Sequence, residues 1–135
     1  MSFEKALGDE LITTSSDLKE VTDNGILEKV FPIYAPEGTI APFIIFVSSE
    51  GVQDKSFQGY LTSKEVDCEI YIVHNSYSGM KALTKEVLAK ILSFQGRAIG
   101  DNGPFIQDVT YEKPIEKYEN EVKLYRSAFD MKVRF

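Results

Sequence analysis

Few residues in this chain have the type and spacing that chemistry needs, and each has a structural reading beside it. The only histidine, His74, lies next to Asn75 at the end of a strand-like run. A histidine-based triad needs a nucleophile, the base and an orienting acid gathered in space. No signature such as Gly-x-Ser-x-Gly accompanies His74, which reads as a strand-end residue bonding to backbone. The only cysteine, Cys68, falls on the apolar face of the same run, where burial raises a thiol pKa and makes it inert core. One histidine and one distant cysteine do not form a usual zinc site. Glu65, Asp67 and Glu69 alternate onto one strand face and could in principle offer oxygen to a hard cation. Alternate strand positions stand roughly 6.5–7 Å apart, too far for neighbours to share an ion easily. A solvated or subunit-facing acidic row is the better reading. Glu121-Val122-Lys123 matches the Glu-x-Lys element of metal-dependent nucleases without its strand-end aspartate. Gly96, Gly100 and Gly103 follow a helix, at a spacing that meets neither the dinucleotide fingerprint nor the P-loop, and read as a flexible connection. The expectation is no catalytic residue, no metal and no cofactor.

The elements that hold these residues follow from the periodicity. Phe3, Leu7 and Leu11 recur every four residues and predict a helix over residues 2–13. Asp17 followed by Glu20 resembles a capping box and predicts a short second helix to about Thr22. Asp23-Asn24-Gly25 is a turn signal. Val30, Phe31, Ile33 and Tyr34 predict a first strand near residues 29–34. Pro36 and Pro42 bracket a turn, because proline fixes φ and removes a donor. Phe43 to Val47 then reads as a strand covered on both faces or nearly so, extending to about Gln53, with Gly51 as a possible bulge. Val66, Cys68, Ile70 and Ile72 alternate with acids and Tyr71, which predicts a strand buried on one side. Met80, Leu83, Val87, Leu88, Ile91 and Leu92 predict a helix to about Phe94. Two strands close the chain. One runs from Phe105 to about Tyr118, broken at Pro114. The other runs from Val122 to Phe135, with Tyr125, Phe129, Met131, Val133 and Phe135 on one face. The expected fold is a single α+β domain over residues 1–135. It has a largely antiparallel sheet of about five strands, with helices packed on one face in the order α-(α)-β-β-β-α-β-β.

Composition agrees with a globular chain. Hydrophobic residues make up 43% and charged residues 27% of 135 residues, enough to bury a core. The N-terminal residues lack the charged and apolar regions of a signal peptide, and no apolar run approaches membrane-spanning length, so synthesis in a reducing cytoplasm is expected. A formal charge of −6, from 21 acids and 15 bases, weighs against a nucleic-acid binder. Residues 1–30 are the most acidic segment, with seven acids and three bases, and read as a solvated face.

One segment is not absorbed by that reading. Residues 54–64 predict a long hairpin tip in which Phe57, Tyr60 and Leu61 stand among polar residues. These aromatics are either tucked under the sheet or held out for a partner, since aromatics are enriched at interface hot spots. Gln53, Lys55, Phe57 and Tyr60 are the candidate partner contacts.

The element order and two segments also resemble a family. They are Tyr34-Ala35-Pro36-Glu37-Gly38-Thr39-Ile40-Ala41-Pro42-Phe43-Ile44-Ile45-Phe46 and the closing run from Leu124 to Phe135. The pattern resembles the small tail-completion and head-to-tail joining proteins of long-tailed, siphovirus-type bacteriophages. In these, an Ala-Pro … Pro-aromatic turn enters a strand, a Tyr-x-x-Ala-like helix start follows a strand, and an aromatic-rich strand ends the chain. Here the helix start reads Tyr77-Ser78-Gly79-Met80-Lys81-Ala82, with the alanine displaced. The resemblance implies a structural virion protein without catalytic residues. It would cap the head-proximal end of the tail tube and join it to the head connector. Its partners would be the tail-tube protein, the connector or stopper protein and, in a ring, a hexamer, further copies of itself, with a monomer before assembly. No membrane or sequence-specific nucleic acid is implied. Loops that order on ring formation would let assembly wait for its template. A tail terminator, a head-side stopper and, more remotely, a small-ligand-binding α+β domain are the other readings.

Overall fold

A computed structural model describes residues 2–135. The fold is α+β, with two helices on one face of a mostly antiparallel sheet. Helix α1 (Phe3–Leu11) starts at Ser2, whose hydroxyl accepts from the Lys5 N–H at 3.3 Å, and buries Phe3, Ala6, Leu7 and Leu11. The expected second helix is absent. Ser15, not Asp17, caps a single 3-10 turn over Ser16–Leu18, and the chain then becomes strand β1 (Lys19–Thr22). The two-residue connection Asp23-Asn24 returns it as β2 (Gly25–Glu28), so the turn signal wins over the capping box.

Strand β3 (Val30–Pro32) is shorter than expected. Ile33 takes φ 72°, with the Tyr34 N–H bonded back to the Pro32 carbonyl at 2.8 Å, and this tight turn ends it. Residues 33–42 carry the chain back to the start of β4 (Phe43–Ser48), so β3 and β4 pair in parallel. Strand β4 buries Ile44 and Phe46. Phe43, Ile45 and Val47 are partly buried, so one face is fully covered and the other nearly so, as expected. The strand does not, however, continue to Gln53. Gly51, at φ 77°, breaks it from β5 (Val52–Ser56), and a Cβ there would press on the Glu65 carbonyl.

The longest strand, β6 (Gly59–His74), is the spine. One half pairs with β5 and the other with β4, while its opposite edge pairs with β11 (Leu124–Arg134) over ten residues, Glu65–His74 against Tyr125–Arg134. Strand β11 is flanked in turn by β9 (Asp108–Tyr111) and β10 (Ile115–Glu119), separated at Pro114, where an edge tolerates a missing donor. The main sheet therefore runs β10-β11-β6-β4-β3.

Helix α2 (Tyr77–Leu92) lies across β6 and β11, burying Met80, Leu83, Thr84, Val87 and Ile91, whereas Leu92 is half-exposed. Both helices share one core with Val66, Cys68, Ile70 and Ile72 of β6 and Phe129, Met131 and Val133 of β11. The alternation read for β6 holds at every position from 65 to 72. Phe135 stacks on Phe3 with centroids 5.0 Å apart, which ties β11 to α1.

The glycine-rich connection is not loose. Its residues form a small ribbon, β7 (Arg97–Ala98) with β8 (Phe105–Ile106), and Ile99 and Ile106 are fully buried. Glu10 of α1 clamps it. The carboxylate accepts from Arg97 at 2.8 and 3.3 Å and from the Gly100 N–H at 3.2 Å, with Lys90 at 4.0 Å. The Arg97 hydrogen bonds hold the Glu10 pKa below its ordinary value, against the opposing effect of burial. A lowered folded pKa stabilises the fold fully above the unfolded carboxyl pKa and loses that contribution as pH falls through the folded one. Glu10→Gln is therefore expected to cost about 2 kcal/mol at neutral pH, the scale of hydrogen bonds to a charged group. It should also flatten the acid limb of stability against pH, which urea unfolding between pH 3 and 7 measures.

Candidate functional site

His74 ends β6 with its ring laid against the start of α2. Its Nδ1 accepts from the Ser76 N–H at 3.1 Å, and Ser76 in turn caps the helix, its hydroxyl accepting from the Gly79 N–H at 3.0 Å. A Cβ on Gly79 would overlap the imidazole, so glycine lets helix and ring approach. Cys68 is buried, and desolvation pushes its thiol up to about 12. Glu65 is drawn to Arg134 (3.2 Å) and Lys132 (3.8 Å), and the cross-strand neighbours of Asp67 and Glu69 are Lys132 and Asp130. The acidic row is thus partly neutralised across the β6–β11 pair. Among the described residues, no group of three or more His, Cys, Asp or Glu side chains is arranged to hold a metal ion. Glu121-Val122-Lys123 lies in the exposed turn between β10 and β11, and Lys123 has φ 55°, so its side chains are not presented from a strand.

The candidate contacts are on a projecting ribbon. Strands β5 and β6 continue past the end of β11 and meet at a two-residue turn, Phe57-Gln58. The long tip expected over residues 54–64 is therefore mostly paired strand. Phe57 is fully exposed at the turn, and Tyr60 is 69% exposed. The aromatics are held out, not tucked under the sheet. Register puts Gln53 opposite Lys64 and Lys55 opposite Tyr60, with the Lys55 ammonium 5.4 Å from the Tyr60 ring centroid. Gln53 spends its amide on the Leu61 carbonyl at 3.2 Å. Asp54 secures the base of the ribbon, accepting from Ser63 at 2.8 Å and Arg134 at 2.7 Å. The Ser63 hydroxyl, with Arg134 beside it, lowers the Asp54 pKa. From Lys55 to Lys64 the ribbon has two lysines and no acid, on a chain whose net charge is −6.

Two further surfaces escaped the sequence reading. The β1–β2 ribbon exposes Val21, Ile26 and Leu27, and its extensive contacts are only those between its own strands. Short runs with β-branched Val21 and Ile26 on either side of the Asp23-Asn24 turn were the available hairpin signal. At the opposite edge of the sheet, Lys81, Lys85 and Lys113 border a groove of about 510 Å³ floored by Ala82, Leu88 and Pro114, between α2 and the start of β10. Two lysines four apart on α2 were visible in sequence, but their apposition to Lys113 needs the fold. Among the described residues, no helix is long and apolar enough to cross a membrane.

Comparison with known proteins gives one kind of match. The architecture recurs in a virion. A solved chain from the virion of a native gene transfer agent (GTA) particle superposes with a TM-score of 0.58 at 10% identity, over 78% of this chain and 77% of that one. At such identity the likeness is one of fold. No family description matches the sequence, and no curated protein does.

Two expectations follow for these residues. Gly79→Ala should destabilise the fold by about 1–3 kcal/mol through overpacking. His74→Ala in the same chain should recover part of that loss, a coupling that a double-mutant cycle of urea midpoints reads directly. Phe57→Ala, by contrast, should leave stability within about 0.5 kcal/mol, because an exposed ring has no folded-state packing to lose.

Proposed function

We propose that the protein is a structural component of a virion, acting where tail meets head. On this reading it caps the head-proximal end of the tail tube and joins it to the head connector. It works as a ring of copies, a hexamer, after folding as a monomer. The observation that carries the proposal is the shared fold with a virion chain, which extends over more than three-quarters of both chains. The Tyr34–Phe46 segment, which the family resemblance rests on, turns through residues 33–42 into β4, in keeping with it. The projecting aromatic-cationic ribbon supplies a contact element of the kind a joining protein needs, an aromatic side chain and a charge on paired strands.

The role is therefore one of surfaces, and its test is assembly. Purified protein added to tails that lack it should bind one tail end, seen by electron microscopy, and restore joining to filled heads. Phe57→Ala with Tyr60→Ala should lower joining at least about tenfold while circular dichroism stays unchanged. Protein that leaves tails untouched and restores no infectivity would overturn the reading. Binding to heads alone would instead assign it to the stopper, and altered tube length without joining to a tail terminator.

A further inference from the structure

The strand order places two complementary surfaces at opposite edges of the main sheet. At one edge, the β1–β2 ribbon runs through Lys29 directly into edge strand β3. Residues 17–28 carry four carboxylates, Asp17, Glu20, Asp23 and Glu28, against one lysine. Val21 and Ile26 are directly paired on one face of the ribbon and are 85% and 66% exposed. An isolated two-stranded ribbon with an apolar face is marginal in water, so a covering surface would stabilise it. At the other edge, beside β10, lies the groove between α2 and the chain around Pro114. Its floor is apolar and its rim is basic. Lys81 is engaged by Glu116 at 2.6 Å, whereas Lys85 and Lys113 make no ion pair among the described residues.

We infer that the acidic, aliphatic β1–β2 ribbon of one copy docks in the basic groove between α2 and β10 of the next. Apolar faces apolar, and negative faces positive, in both components of the contact. The two surfaces are different and sit at opposite edges, so the contact is heterologous. Each copy uses its ribbon forward and its groove backward, and the chain of contacts either closes into a ring or grows open-ended. The inference deepens the virion reading and rests on it for the ring, but the contact itself is argued from this surface alone. No second copy's groove or ribbon is left over in a closed ring, which is how a fixed copy number would arise without a separate terminating device.

The test is a charge swap on the full-length protein, read by sedimentation velocity up to millimolar concentration. Asp23→Lys with Glu28→Lys reverses the ribbon at its turn and on the Val21–Ile26 face, and Lys85→Glu with Lys113→Glu reverses the groove. Each pair alone should weaken self-association at least about tenfold. An equimolar mixture of the two variants should associate again, since each reversed surface then meets its opposite. A chain carrying all four changes should also associate with itself. Disulfide trapping gives a second readout that does not depend on affinity. Val21→Cys with Ala82→Cys in one chain should oxidise to a ladder of multimers, and the two single variants mixed should yield a mixed dimer. Wild-type association that ignores both reversals, or disulfides only between like positions, would overturn the inference while leaving the virion reading standing. So would a chain that neither associates nor cross-links. In that case tail binding, which needs no prior self-association, still decides the virion reading on its own.

Discussion

Ten cross-strand pairs between β6 and β11 set the position of nearly everything else. A slip of one residue would turn Val66, Cys68, Ile70 and Ile72 to water and bring Asp67, Glu69 and Tyr71 under the helices, so burial locks the register. At one end that register brings Arg134 opposite Glu65 and beside Asp54, which secures the base of the projecting β5–β6 ribbon. At the other it sets Tyr125 opposite His74, next to Tyr77 and Tyr118, where α2 begins and β10 ends. The same pairing thus aims a ribbon away from the core and orients the helix whose outer side forms the basic groove.

Because both helices lie on one face, neither helix covers the other face of the sheet. Half of it is apolar, around Ile45, Tyr71, Ala128 and Ile115, and half is charged. Glu69 stands directly opposite Asp130, a like-charge pair that cross-strand energetics disfavour, and Glu69 takes a hydrogen bond from the Tyr71 hydroxyl at 2.7 Å. Such an arrangement gives up some stability in the isolated subunit. Together with the two ribbons it leaves the molecule with more exposed anchoring features than a lone globule needs.

Where periodicity was strong, the fold could be read without coordinates. The one-sided alternation of β6, the apolar stripe of α2 and the aromatic face of β11 all emerged because burial selects side chains at a fixed period. The failures have physical causes. At residues 17–22 a local capping pattern competed with a hairpin signal two residues further on, and pairing with β2 decided it. The strand from 43 was carried too far, to Gln53, because Gly51 read as a bulge, whereas its positive φ breaks the strand before β5. The connection at 95–104 looked loose because its glycines were visible and its anchor, Glu10, was distant in sequence. Of the candidate contacts, Phe57 and Tyr60 were legible as out of place in a polar stretch. Their exposure was not, since only the end of β11 short of the turn shows that the sheet stops before it reaches them.

Order in the ribbons also changes how assembly should be pictured. Sequence alone suggested loops that become ordered on ring formation, which would charge the ordering entropy to the moment of association. Both projections are instead paired strands with short turns. One is braced by Asp54, Ser63 and Arg134, and the other by the Thr22 hydroxyl donating to the Gly25 carbonyl. A contact element that is already folded loses less freedom when it docks, so a smaller buried surface suffices for the same affinity. Delay of assembly until a template is present would then have to come from weak individual contacts that act only when several are made at once. On the function proposed, a ring built on a tube end would satisfy that condition, because each added copy would meet both a neighbour and the tube. An isolated pair of copies would meet only one of them and be held weakly, associating only at high concentration.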